Sequence, residues 1–197
     1  MLYSSPLSHR LVTPWWQFWK WDIFRRRRTI TLELPPDGKI LFYKRDRNNF
    51  GFLSNFYLSN IHLEATVWPS AEHFYQSQKS FEQDYQLAIH GAKTPGQAKR
   101  LGASPDMPRK VSQQSWFRRK SKKPRSDWDA IKLEVMRRAV RAKFGQNRDL
   151  CKLLLATGSF ELVEDSVSDA FWGIGSDGQG QNWLGRILME VRADLKR

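Results

Sequence analysis

The chain has 197 residues, 40% of them hydrophobic, which is enough for one domain with a real core and an appendage. A single cysteine, Cys151, excludes an intramolecular disulfide and a cysteine-based zinc site, and His9, His62, His73 and His90 show no metal-ligand spacing. The net charge of +13 is local, because residues 109–125 hold eight Lys/Arg and no acid while residues 126–197 balance, so it does not by itself indicate a nucleic-acid fold. Neither a protein-held metal nor a cofactor is expected, and the lack of cysteine pairs fits a reducing, cytoplasmic setting.

Residues 1–38 read as an extension. Trp15 to Phe24 form an aromatic run that leads into Arg25-Arg-Arg-Arg28. The run is too short to span a bilayer and lacks the order of a signal peptide. Tryptophan beside arginine suits weak peripheral contact with a membrane surface. The plainer reading is a poorly ordered tail. Pro35-Pro-Asp-Gly38 marks a turn and a domain boundary.

The folded domain is expected over residues 39–197. Ile40–Tyr43 and the stretch Ile61–Trp68 read as short strands, with a loop around Asn48–Asn55 between them. Ser70 is a suitable cap for a helix through about Gln83, and Thr94-Pro95 opens another that Gly102 would stop. Asp127 starts a long helix through Phe144, whose apolar stripe is Trp128, Ile131, Val135, Met136, Ala139 and Val140. Asn147 opens the next helix, Gly158 closes it, and Asn182 begins the last. The predicted class is α+β, predominantly helical, with a few short strands near the start of one domain. The basic insertion at 109–125, with its Arg118 to Arg125 run, reads either as a solvated loop or as a contact for nucleic acid.

Chemistry-bearing residues fall in two blocks. On the helix after Ser70, positions 72, 76 and 79 share one face and present Glu72, Gln76 and Lys79, while Ala71, Phe74, Tyr75 and Phe81 fall opposite. This face is either an ordinary wet surface or one wall of a cleft. In the second case Lys79 can attack a sugar carbon only when deprotonated, which requires burial or a neighbouring cation. The second block, Asp169-Ala-Phe-Trp-Gly173 through Gly185, combines an acid, an indole for stacking and a glycine-rich loop ahead of a helix. The loop reads either as a surface turn or as a wrap for phosphate, and it is neither a Walker loop nor a dinucleotide fingerprint. Trp128 and Trp183 read as core residues. An acid near an anomeric carbon, a platform for a flat base and a phosphate anchor together suggest cleavage of an N-glycosidic bond.

Phe50-Gly-Phe-Leu-Ser-Asn-Phe56, Trp68-Pro-Ser-Ala-Glu-His-Phe-Tyr-Gln-Ser-Gln-Lys79, Asp127-Trp-Asp-Ala-Ile-Lys132, Ala142-Lys-Phe144, Leu153-Leu-Leu-Ala-Thr157, Asp169-Ala-Phe-Trp-Gly173 and Gly180-Gln-Asn-Trp-Leu-Gly185 resemble, in order, the motifs of the YbiA/NADAR family. The resemblance covers about residues 40–195. It implies an N-glycosidase without cofactor or metal, acting either on early phosphoribosylamino-pyrimidine intermediates of riboflavin synthesis or on ADP-ribosylated guanine. It further implies catalytic roles for Glu72, Lys79 and Asp169, with Lys79 at the position proposed to form a Schiff base. Asn55, Trp128, Trp172, Gly173, Asn182 and Gly185 would shape the substrate pocket. The expected partner is a small ribosylated base or nucleotide, with nucleic acid as an alternative substrate through Arg118 to Arg125. Two other classes stay open: a non-catalytic binder of ADP-ribose or nucleotides, and an interaction protein acting through its Trp/Arg tail and basic loop.

Overall fold

The computed structural model describes residues 32–43, 49–103, 108–112, 115–118 and 125–197. The reading of residues 1–31 as a poorly ordered or membrane-touching tail lies outside the described residues. So does most of the Arg118 to Arg125 run.

Strand β1, Lys39–Phe42, alternates outward and inward, with Ile40 and Phe42 buried. It pairs in parallel with β6, Glu161–Glu164, which lies near the other end of the domain, in a register that sets Phe42 opposite Glu164. The stretch Ile61–Trp68, expected as one strand, is a hairpin of β2 (Ile61–Leu63) and β3 (Thr66–Trp68). Glu64 and Ala65 make its two-residue turn at φ 54° and 58°, the left-handed values that a tight hairpin requires. A third pair, β4 (Pro108–Ser112) with β5 (Ser115–Arg118), runs through the basic insertion, where a loop was expected. Strands therefore occur along the whole domain rather than only near its start.

Helix α1, Ala71–Ser77, is buried along its whole length. The Ser70 hydroxyl accepts the His73 N–H at 3.3 Å and caps it. The expected continuation to Gln83 does not form. Ser77 turns its hydroxyl onto the Phe74 carbonyl at 2.7 Å, and Ser80 accepts the Glu82 N–H at 3.2 Å. These local bonds end one helix and prepare α2, Gln83–His90. Helix α3, Pro95–Ala103, opens at Pro95 as expected and runs past Gly102. Helix α4, Trp128–Gln146, is the longest, with Val135, Met136, Ala139 and Val140 in the core. Helices α5 (Arg148–Ala156) and α6 (Trp183–Asp194) complete the packing, with Gly158 at φ 60° ending α5. One cluster, including Ile40, Phe74, Met136, Phe144, Leu162 and Leu188, joins the β1–β6 pair to α1, α4 and α6. Burial of such side chains, at about 25 cal/mol per Å² of apolar surface, is what holds these layers together. No helix among the described residues is long and apolar enough to cross a membrane.

Candidate active site

Helix α1 is sandwiched between α3 and α4, so its polar side chains do not reach bulk water. They open instead on a cleft of about 200 Å³, lined by Glu72, Tyr75, Gln76 and Lys79 from this segment. Ser54, Asn55 and Phe56 come from the loop after a 3-10 turn at Gly51–Leu53. Lys99 of α3, Met136 of α4, Glu164 at the end of β6, and Asp169 and Trp172 of the following loop complete it. The fold thus brings Glu72, Lys79 and Asp169 to one crevice. Tyr75, placed by helical spacing on the opposite side, also lines it.

Glu72 is only 5% exposed and accepts from Gln76 Nε2 at 2.7 Å. Burial pushes its carboxyl above the usual range, against the pull of Gln76, Lys99 and Lys79. Lys79 lies just past the helix, and its Nζ donates to the Gly102 carbonyl at 3.1 Å. The amine stands 5.8 Å from the ring centres of both Tyr75 and Trp128. Burial pushes it below the ordinary lysine value, Glu72 pulls it back, and the cation of Lys99 pushes it down further. Both conditions for a nucleophilic lysine, burial and a flanking cation, are met.

The aromatic wall is continuous. Tyr75 sits between Trp128, at 5.0 Å between ring centres, and Trp172, at 5.5 Å and nearly perpendicular. Trp172 lines the cleft, whereas Trp128 is buried behind Tyr75 and backs both it and Lys79. Asp169 Oδ1 accepts the N–H groups of Phe171 at 3.0 Å and Trp172 at 2.9 Å, which fixes acid and indole as one unit.

The glycine-rich loop, read as either a surface turn or a phosphate wrap, is largely bonded to its own chain. Its amides are bonded within the chain: Gly173 to Asp169, Ile174 to Glu164, Gly175 to Ser166, Gly180 to Ile174 and Asn182 to Gly173. Trp183 and Leu184, at the start of α6, donate to Phe171 and Trp172. The amides so bonded are not free to cradle an anion. Gly173, Asn182 and Gly185, expected to contact substrate, are scaffold residues around the end of β6 and do not line the cleft. Arg125, at the end of the basic run, is paired with Asp127 at 2.5 and 2.6 Å and stacked over Phe81 at 3.9 Å.

Sequence reasoning missed Glu164 and Lys99. Glu164 carried a usable signal, an acid closing a short apolar strand, since ligands gather at the carboxyl ends of parallel strands. Lys99 carried none beyond its charge on the helix expected between Thr94 and Gly102. Asn55, by contrast, sits where expected, with Nδ2 donating to Met136 Sδ at 3.1 Å. Its Oδ1, Gln76 Oε1 and Glu164 Oε2 are buried without hydrogen-bond partners. Among the described residues only one other side-chain atom, Ser59 Oγ, shares that condition. Three buried polar atoms without partners, on residues of one cleft, are what a ligand site rather than a packed core leaves behind. Among the described residues no group of His, Cys, Asp or Glu is placed to hold a metal ion.

The model of the NADAR domain matches residues 41–196. The chain belongs to the NADAR family. Among the relatives of this NADAR chain, a riboflavin biosynthesis protein of Vibrio vulnificus is 46% identical over 169 residues, covering 86% of this chain and 41% of that protein. The N-glycosidase YbiA of Escherichia coli is 38% identical over 159 residues, covering 81% of this chain and 89% of the relative. The solved structure of E. coli YbiA superposes with a TM-score of 0.67 at 37% identity, covering 83% of this chain and 88% of that one. The NADAR domain of this chain thus spans nearly all of YbiA but less than half of the Vibrio protein.

Proposed function

We propose that this NADAR protein hydrolyses the N-glycosidic bond between a ribose and a flat nitrogenous base. The observation that carries this reading is the convergence of Glu72, Lys79 and Asp169 on a cleft walled by Tyr75 and Trp172, with unpaired polar atoms on its lining. The base stacks against the aromatic wall, and the ribose lies between the acids with its hydroxyls donating to Asp169 and Asn55. Lys79, as the neutral amine, attacks the anomeric carbon, and the electron pair of the broken bond leaves with the base. Glu72 takes the proton shed by the attacking nitrogen and returns it to the ring oxygen as the sugar ring opens. The ribosyl-lysine opens to an imine, which water hydrolyses to the free sugar and the regenerated amine.

The names of the relatives favour a phosphoribosylamino-pyrimidine of riboflavin synthesis as substrate. Lys99, exposed at the rim of the cleft, supplies the cation for a phosphate. A cytoplasmic location is part of the proposal. Contact of the Arg118 to Arg125 run with nucleic acid is a separate question, answered by DNA retention with and without residues 109–125. The decisive assay measures base release from phosphoribosylamino-pyrimidines and from ADP-ribosylated guanosine by the intact protein and by Glu72→Gln, Lys79→Ala and Asp169→Asn. Loss of turnover in each variant is expected, and full activity in all three would end the proposal.

A further inference from the structure

Gly173, Asn182 and Gly185 converge on the end of one strand. Asn182, held at φ 51°, lays its side chain across β6, where Nδ2 donates to the Leu162 carbonyl at 2.9 Å and Oδ1 accepts the Glu164 N–H at 3.0 Å. Gly185 packs so closely on Leu162 and Asn182 that a Cβ there would collide with both. A Cβ on Gly173 would stand 2.6 Å from the Glu164 carbonyl oxygen. That oxygen accepts the N–H groups of Ser166 at 2.9 Å and Ile174 at 3.1 Å. Together with the pairing to Phe42, these contacts fix the backbone of Glu164 from every side.

The side chain so placed lines the cleft, and its Oε2 is buried without a partner. The cleft's other two acids are engaged, Glu72 by Gln76 and Asp169 by two backbone amides. Among the described residues Glu164 has no hydrogen bond to its carboxyl. An ionised carboxylate here would hold one oxygen away from water with no donor in exchange. We infer that Glu164 is the catalytic acid of this site, carrying the proton that goes to the departing base nitrogen. The inference rests on the glycosidase reading and adds to it a residue and a proton. Burial first, then the charges of Asp169 and Glu72, push this carboxyl up to about 8, so it is protonated at neutral pH.

The step balances. As the bond from C1′ to nitrogen breaks, its electron pair passes to the base nitrogen, which takes the Glu164 proton and leaves as the neutral base. The Glu164 carboxylate then recovers a proton from the water whose hydroxide ends on the sugar. One water is consumed, and free base and free sugar are formed.

The test is kcat/KM between about pH 5 and 10 for base release from a phosphoribosylamino-pyrimidine, beside 4-nitrophenol release from 4-nitrophenyl riboside 5′-phosphate, whose leaving group needs no proton. For the wild type, base release should fall above about pH 8, and nitrophenol release should not. Glu164→Gln should lower base release by about 100-fold or more, lose that alkaline limb and keep nitrophenol release within several-fold. Glu164→Asp, which still has a proton to give, should recover part of the rate. Base release by Glu164→Gln within several-fold of wild type, or an alkaline limb that survives in it, would overturn the inference. Should Glu164→Gln fail to fold, the wild-type profiles decide, because a limb on both substrates or on neither overturns it as well. A wild type that releases base from neither a phosphoribosylamino-pyrimidine nor ADP-ribosylated guanosine fails the glycosidase reading itself, an outcome distinct from a defect confined to Glu164→Gln.

Discussion

Lys79 and Lys143 are both taken out of water by this fold, and burial pushes both amines below the ordinary value of 10.5, Lys143 to about 7. Their surroundings differ. Lys143 is wholly buried, and its amine donates to the Phe52 carbonyl at 2.6 Å and the Ser54 carbonyl at 2.8 Å. Among the described residues no carboxylate pairs with it, and Lys143 itself does not line the cleft. Those carbonyls belong to the turn that presents Ser54 and Asn55 to the cleft, so Lys143 works as a strut. Both amines lie beside aromatic rings, but Lys79 has one carbonyl partner, an acid beside it and a cation that competes with it. Burial perturbs both lysines, but only the one that opens on a cleft beside Glu72 can meet a ligand.

The largest expected effect separates the two roles. Lys79→Ala should reduce base release by about a thousand-fold or more while thermal melting stays close to wild type. Unchanged activity would place Lys79 with Lys143 as a packing residue. Lys143→Met should do the reverse: it leaves the Phe52 carbonyl without a donor, while the Ser54 carbonyl keeps the Tyr57 N–H at 3.0 Å, and should cost about 1–3 kcal/mol in urea unfolding, with turnover reduced mainly through KM. A stable Lys143→Met protein with unchanged KM would remove the strut from the account.

Gly102→Ala tests how Lys79 is held. A Cβ at this position would collide with Gln76 Oε1, on the residue whose amide also binds Glu72, and Gly102 supplies the carbonyl that Lys79 contacts. Loss of about 1–3 kcal/mol from overpacking is expected, together with a lower kcat. Wild-type kcat in this variant would mean that the Gly102 contact does not position Lys79.

The smallest effect is a pH slope in stability. Between about 7 and 10.5 the unfolded chain binds a proton at Lys143 that the folded chain has released. Stability should therefore rise with pH across that window, and Lys143→Met should flatten the rise. An identical slope in wild type and variant would assign it to other groups.

Much of the site was legible in the sequence because its chemistry sits in short blocks. Glu72 and Lys79 lie within one segment, and Asp169 with Trp172 share one turn, so spacing alone held each pair together. Glu164 and Lys99 were not legible, since what brings them to the cleft is tertiary: the parallel pairing of β1 with β6, and the packing of α3 on α1. The end of α1 at Ser77 was hidden in serine hydroxyls that compete for the backbone, a local preference that apolar periodicity does not register. Gly173, Asn182 and Gly185 carried a clear motif but an ambiguous role. Closeness to a ligand and closeness to a strand place the same demand on a glycine, and here the strand is Leu162–Glu164.

Borohydride reduction during turnover, followed by mass spectrometry of the peptides carrying Lys79 and Lys143, tests the account most directly. The expected result is a reduced pentosyl adduct on Lys79 and none on Lys143. Base released steadily while Lys79 stays unmodified would contradict the proposed attack by its amine.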